Sequence, residues 1–350
     1  MENINLRSIR WESIKSVFLS IAQTEKISRA DISAETDLSL MTVGKVVDAL
    51  MDIQVIEQTK ENKNSAGRRA GLLSVTLDKY SVILDLTSKD FCCCIMDLRL
   101  NPVEKLCYRY VDSMPFSDNL EQFLKNVSDF LSQTMSDGVR IGVGVSVPGT
   151  YFPDTNRTRS QFLPELDTID LPQIIGKYIP TDSLLIDSGY NAAAMSNIAQ
   201  IKGVKNNAIY YWHISANGLH GAIFHSGKVL HGAHYLAGNF GQMVVQTGVT
   251  LNSLLKLTNS PEENALSLAR ALHNTIRFSD PDVVILECTL YENGADFCDL
   301  IRQMLVEKFD LTPETMPQIL VTSGSVPHAF RGLTMKLRET WLHDRIFPKD

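Results

Sequence analysis

The chain has 350 residues, 44% of them apolar and 21% charged, and a formal net charge of -7. That length supplies two or three hydrophobic cores, and the composition excludes a disordered, fibrous or disulfide-framework protein. No apolar run approaches the ~18 residues of a membrane span, and the polar start at Glu2 and Asn3 carries no signal-peptide pattern, so a cytoplasmic protein is expected.

The charge is unevenly placed. Residues 1–71 hold ten Lys/Arg and ten Asp/Glu, which leaves the acidity to the remainder and lets Lys60, Lys63, Arg68 and Arg69 gather in one short basic segment. Ser8 to Ile21 reads as the first helix, because Ile9, Ile14, Val17, Phe18 and Ile21 recur at helical spacing. Ser28 and Ser39 are placed to cap two further helices, each hydroxyl accepting from a free backbone N-H of the first turn. In the third helix Val43, Val46, Val47 and Leu50 form the core face and leave Ser39, Leu40, Thr42 and Lys45 outward. Val55-Ile56-Glu57, the segment ending Ser65-Ala66-Gly67-Arg68-Arg69, and Leu72-Leu73-Ser74-Val75 read as a wing. Helix, helix, recognition helix and wing together place a helix in the major groove of double-stranded DNA while a basic loop reaches the backbone or minor groove. The DNA-contacting residues expected are Ser39, Thr42, Lys45, Arg68 and Arg69.

From about Val75 short apolar strands alternate with helices. Ser81 to Leu86, Phe91 to Asp97 and Val139 to Val147 read as strands, with a helix over Leu120 to Met135. A second cycle follows, with strands at Ser183 to Asp187, Ala208 to Ile214, Leu219 to His225, Asp282 to Leu286 and Ile319 to Thr322, and a helix from Asn191 to about Ile201. Two such cycles predict a mixed α/β protein with a cleft between lobes, the usual place for a small ligand. The six cysteines lack paired spacing, and Cys92 to Cys94 read as small buried hydrophobes in a strand. The aromatic run Tyr210-Tyr211-Trp212 reads as core. His213, His220, His225, His231 and His234 read as scattered and partly solvated, without regular ligand spacing.

In this order the motifs resemble the ROK family of repressors, open reading frames and sugar kinases. They are the helix-turn-helix with Ser65-Ala66-Gly67-Arg68-Arg69; Gly142-Val143-Gly144-Val145-Ser146-Val147-Pro148-Gly149; Asn191-Ala192-Ala193-Ala194; and Gly227 through Met243. The attached winged helix resembles the repressor branch. The resemblance implies an N-terminal winged helix-turn-helix over residues 1–74, then a two-lobed actin-like, hexokinase-like (ribonuclease H-like) ATPase fold. Lobe 1 is expected over 75–190 and lobe 2 over 191–350, with the C-terminal helices free to return to lobe 1. It further implies a homodimer or homotetramer.

Departures from the family pattern set the functional expectation. Its first phosphate loop, Asp-x-Gly-Gly-Thr, is here Asp85-Leu86-Thr87-Ser88-Lys89, and its second corresponds to Asn217-Gly218-Leu219-His220-Gly221-Ala222. The glycines near the adenosine become Glu287-Cys288-Thr289. The general base falls on Gly189, leaving Asp187 to a capping or surface role, and the zinc ligands are replaced, with Gln242 standing where a His is usual. The expectation is therefore a non-enzymatic transcriptional regulator, a repressor of carbohydrate-metabolism genes, without cofactor or metal. Ser188, Asn239 and Gln242 are the candidates for an altered sugar-effector site. An active sugar kinase with an N-terminal extension, and a constitutive DNA-binding dimer without effector, are the alternatives.

Overall fold

A computed structural model describes residues 2–59, 71–199, 201, 208–246, 248–257, 260–322 and 327–348. The N-terminal unit opens with α1 (Glu2–Ala22), α2 (Arg29–Thr36) and α3 (Leu40–Asp52), followed by β1 (Ile56–Thr59) and β2 (Leu72–Val75). Ile14, Val17, Phe18 and Ile21 of α1 meet Ile32 of α2 and the Val43, Val46, Val47, Leu50 face of α3, all buried. The strands pair antiparallel from Ile56 against Val75 to Thr59 against Leu72. Backbone bonds between Ile27 and Leu73 add a third edge to this ribbon.

The first lobe continues through β3 (Lys79–Asp85), β4 (Phe91–Asp97), β5 (Pro102–Tyr108), α4 (Phe116–Thr134), β6 (Val139–Val147), the short β7 (Thr150–Phe152) and β8 (Arg157–Arg159), α5 (Leu171–Tyr178) and β9 (Leu184–Ser188). Its sheet runs β5-β4-β3-β6-β9, antiparallel through the first three strands and parallel through β3, β6 and β9. The second lobe repeats that plan. After α6 (Gly189–Ile198) come β10 (Ala208–Ser215), β11 (Gly218–His225), β12 (Lys228–Val229), β13 (Val244–Gln246), β14 (Val249–Thr250), α7 (Leu251–Leu257), α8 (Pro261–Ser279), β15 (Val283–Cys288), α9 (Gly294–Phe309), β16 (Gln318–Thr322) and α10 (Pro327–Ile346). The second sheet, β12-β11-β10-β15-β16, has the same two antiparallel and two parallel junctions in the same order. This doubled unit is the two-lobed, actin-like α/β plan. It was legible in the sequence, although β5, β7, β8 and α5 were not.

Each sheet is covered on one face by its own helices. Phe91, Val143 and Val145 of the first sheet pack with Phe123, Leu124 and Val127 of α4 and Ile175 of α5. Trp212, Val284 and Leu286 of the second pack with Leu268 and Leu272 of α8 and Ile301 of α9. Tyr211 and Trp212 are fully buried and Tyr210 nearly so, as the aromatic run predicts. On the other faces lie α6 and α10. Ala193 and Ala194 of α6 pack on Ile209, Tyr211 and Ala222 of the second sheet. α10, last in the chain, returns to the first sheet, where Thr334 and Ser81 of β3 share a buried hydroxyl contact at 2.9 Å. A Cβ on Gly332 would overlap the Ala192 carbonyl, so glycine there permits close approach of α10 to α6.

The same helix carries the N-terminal unit. Leu333, Leu337 and Leu342 of α10 belong to one apolar cluster with the residues of α1, α2 and α3. Trp11 meets His343 edge-on at 5.1 Å, and the Arg338 guanidinium lies 5.1 Å from the Phe18 ring. No helix among the described residues is long and apolar enough to cross a membrane.

Candidate functional site: a winged helix and an interlobe cleft

At the N-terminal unit the caps form as predicted. Ser28 Oγ accepts from Asp31 N and Ser39 Oγ from Thr42 N, both at 3.2 Å, satisfying one free donor at each helix start. Asp37, in the left-handed region at φ 55°, turns the chain between the two helices. Ser39 and Lys45 are exposed and Thr42 half-buried. Leu40 and Met41 are 60% and 74% exposed, an unusual place for large apolar side chains. Met41 was missed from the sequence, although its position off the Val43, Val46, Val47, Leu50 face marks it as outward. Arg29 is held to Asp48 at 3.0 Å, bracing α2 against α3. Arg68 and Arg69, like Lys60 and Lys63, lie outside the described residues.

The second site is a cavity of about 730 Å³ between the lobes, at the C-terminal ends of β6 and β9 and against the β10–β11 turn. Ser188, Asn239 and Gln242 all line it, with Asp187, Asn191, Asn217, His220, Asn252, Lys256 and Lys336. Ser188 is partly occupied as the cap of α6, its Oγ accepting from Tyr190 N at 3.3 Å. Asp187 is buried rather than at the surface. One of its oxygens accepts from Ser188 N and from Asn191 Nδ2, both at 2.8 Å, and the other lies 3.7 Å from Lys336 Nζ. The surface alternative for Asp187 is thereby corrected: at a strand end that feeds directly into a helix, its carboxylate is folded inward to hold the first turn.

Gly189, on which the resemblance places the family's general base, has no side chain, and a larger residue there requires its neighbours to shift. A Cβ there would lie 2.6 Å from Ser146 Oγ and 3.1 Å from Thr87 Cγ2. The first loop is closed on itself, since Asp85 Oδ1 accepts from both Thr87 N (3.1 Å) and Thr87 Oγ1 (2.7 Å). Burial raises the Asp85 carboxyl above its usual range, against those bonds. At the other lobe Glu287 is buried and takes hydrogen bonds from the Tyr211 hydroxyl and from His213 Nδ1 at 3.1 Å. Burial pushes its carboxyl up, but the His213 and Tyr211 contacts outweigh it and hold the pKa below the usual value.

The histidines are less scattered than the sequence suggests. His213 and His220 face each other in the β10–β11 register, and Tyr190 in the first turn of α6 stacks on His220 at the edge of the cleft. Burial, then the neighbouring His213, lowers the His220 pKa to about 4, so its imidazole is neutral at pH 7. Burial raises the Tyr190 hydroxyl to about 12. His225 and His234 stay exposed. Single-sequence reading missed this cluster because its members join only when β10, β11, β15 and α6 assemble.

A ROK family transcriptional regulator described as a homolog of E. coli MLC protein superposes on 97% of this chain and 99% of its own, with a TM-score of 0.71 at 15% identity. The chain has the ROK fold. A ROK family protein from Streptococcus pneumoniae TIGR4 in complex with sucrose (TM-score 0.59, 17% identity) matches 76% of this chain and 98% of its own. A ROK hexokinase from Thermus thermophilus (TM-score 0.55, 14% identity) matches 73% and 97%. The regulator thus shares the whole ROK plan with the winged helix attached, whereas those two match about three quarters of the chain. In sequence, the xylose repressor of Caldicellulosiruptor bescii is 24% identical over 235 residues, which is 65% of this chain and 57% of the repressor. The match therefore spans little more than half of that relative. No family model matches the chain.

Proposed function

We propose that this protein is a DNA-binding transcriptional regulator, a cytoplasmic repressor of carbohydrate-metabolism genes. Its ROK-like region no longer transfers phosphate; it pairs the chain as a homodimer or homotetramer and senses a small effector. The observation that carries the reading is α10. Lys336 reaches Asp187 in the cleft, while Arg338 and His343 on the same helix touch Phe18 and Trp11 of the winged helix. One rigid element therefore contacts both sites. A ligand that favours one arrangement of the lobes would shift the population of winged-helix positions and so the fit to two half-sites.

The non-catalytic part of the reading is supported by Gly189 packed under Ser146, by the self-closed Asp85 loop and by the Tyr190–His220 stack. Ser39, Thr42 and Lys45 would contact DNA from α3, Arg68 and Arg69 would extend the contact from the wing, and Ser188, Asn239 and Gln242 would meet effector hydroxyls. The similarity to a xylose repressor and to a ROK regulator supports the same reading.

The test is selection of bound fragments from the organism's own DNA by the purified chain, followed by footprinting and by a phosphoryl-transfer assay with ATP and a sugar panel. The reading expects a protected two-fold site beside carbohydrate genes and no transfer. Turnover of ATP with any sugar, or DNA binding no better than to random sequence, defeats it.

A further inference from the structure

Resting on the effector-binding reading above, we propose that the cleft takes a polyol bearing a negative charge, a sugar phosphate or a sugar acid, in preference to a neutral sugar. The chain as a whole is acidic, at -7. Its cleft is not: Arg159, Lys256 and Lys336 line the cavity against one carboxylate, Asp187. That carboxylate is already engaged by Ser188 N, Asn191 Nδ2 and Lys336 Nζ. Arg159 and Lys256 are exposed at the cavity wall, and neither has an ion-pair partner among the described residues. A concave wall of net positive charge focuses the field and raises the local concentration of an anion.

The placement of Lys256 sharpens the argument. It follows Asn252 by four residues on α7, so the two share a helix face. Asn252 Oδ1 accepts from Leu219 N at 2.7 Å, which ties that face to the β10–β11 turn. The ammonium is near enough to His220 to disfavour its protonation, after burial and His213 have done most of that. The first turn of α6, capped by Ser188 and by the Asp187 carboxylate, borders the same cavity. Asn191, Asn239 and Gln242 supply amide donors and acceptors for hydroxyls. A neutral sugar would engage the amides alone and gain nothing from the solvated Arg159 and Lys256. A charged polyol satisfies both sets.

The test is calorimetric titration of the full chain with glucose, glucose 6-phosphate, gluconate and inorganic phosphate at one ionic strength, repeated with Lys256→Gln, Arg159→Gln and the surface control Lys125→Gln. The charged polyols are expected to bind at least about tenfold more tightly than glucose, with the preference shrinking as salt screens the cations. Lys256→Gln or Arg159→Gln should each remove about tenfold, and Lys125→Gln none. Tighter binding of glucose 6-phosphate assigns a phosphate, and tighter binding of gluconate a carboxylate.

Three results overturn the proposal. They are glucose binding as tightly as its charged derivatives, phosphate alone binding as tightly as glucose 6-phosphate, and no heat from either charged polyol at millimolar concentration. The fragment selection described above is independent of this titration. A protected two-fold site with a failed titration removes only the anionic effector, whereas the lack of any protected site removes the regulator reading itself, whatever the titration gives.

Discussion

The ring of Tyr190 lies flat on the imidazole of His220, with centroids 4.4 Å apart and planes within 1°. The partly buried imidazole of this pair makes stability depend on pH. The folded pKa of His220, about 4, lies below its ordinary 6.5, so between those values the unfolded chain binds a proton that the folded chain refuses. Stability is therefore complete above about pH 6.5, falls as pH drops through that window and stops falling near pH 4, a loss of up to about 3 kcal/mol. His220→Phe keeps a ring on Tyr190 and removes the titration. Melting temperatures from pH 4 to 7 should be flatter for this variant than for the parent, and identical slopes would refute the assignment.

Restoring the missing base should not restore a kinase. Gly189→Asp must move Ser146, whose hydroxyl would stand 2.6 Å from the new Cβ, and Thr87 behind it. Overpacking of this kind costs about 1–3 kcal/mol, and the Asp85 loop would still be closed by Thr87. The expected outcome is a lower denaturant midpoint and no phosphoryl transfer above the parent. Measurable turnover would show that the base alone had been lost.

The winged helix separates capping from contact. Lys45 is exposed on α3 and has no hydrogen bond or ion pair among the described residues, so Lys45→Ala should leave the melting temperature unchanged. It should weaken binding to any duplex and reduce the slope of log affinity against log salt by about 0.9. Ser39→Ala removes the Thr42 N–H acceptor and should cost about 1 kcal/mol of stability. Electrophoretic titrations at several salt concentrations, beside thermal melts, distinguish the two. An unchanged salt slope for Lys45→Ala would take that residue off the phosphate backbone.

Much of this was legible because the informative signals are local. Ser28 and Ser39 announce their caps, and the Val43 to Leu50 face, Phe91–Asp97 and Val139–Val147 announce themselves by periodicity and β-branched content. β5 was missed because Pro102 to Tyr108 is an edge strand with mostly exposed side chains, so its pattern carries no burial signal. The polar cluster around Glu287 was missed for another reason. Its members are 97 positions apart at the extremes, and only tertiary pairing turns isolated histidines and tyrosines into one network.

The cysteines of β4 give a direct reading of strand order. Cys92 Sγ lies 3.0 Å from Cys107 Sγ on β5. Burial, and then the neighbouring thiol, pushes Cys92 up to about 12, while burial raises Cys94 to about 11 and Cys93 further. Only the thiolate reacts. Iodoacetamide at neutral pH should therefore label exposed Cys107 first among these four in the native protein, and all of them in denaturant. Early labelling of Cys93 by mass spectrometry would mean that β4 opens from the sheet.

Arg338 is placed to tie the N-terminal unit to the lobes. It is almost wholly buried, and that burial depresses its guanidinium pKa to about 10. One end donates to the Leu98 carbonyl beyond β4, and the plane stands over Phe18 of α1, so a single side chain links α10, the first sheet and the winged helix. Removing it leaves a buried carbonyl without a donor and a void against Phe18, together about 3 kcal/mol or more. The nearby Lys15–Glu339 pair at 3.3 Å is partly solvated and should contribute less than about 1 kcal/mol. Arg338→Ala should therefore release the winged helix before the lobes melt, giving two calorimetric transitions where the parent gives one, whereas Lys15→Ala should leave a single transition. Arg338→Met, which restores packing but not the donor, should fall between them. A single undiminished transition for Arg338→Ala would place the coupling in Trp11 and the leucines of α10 instead.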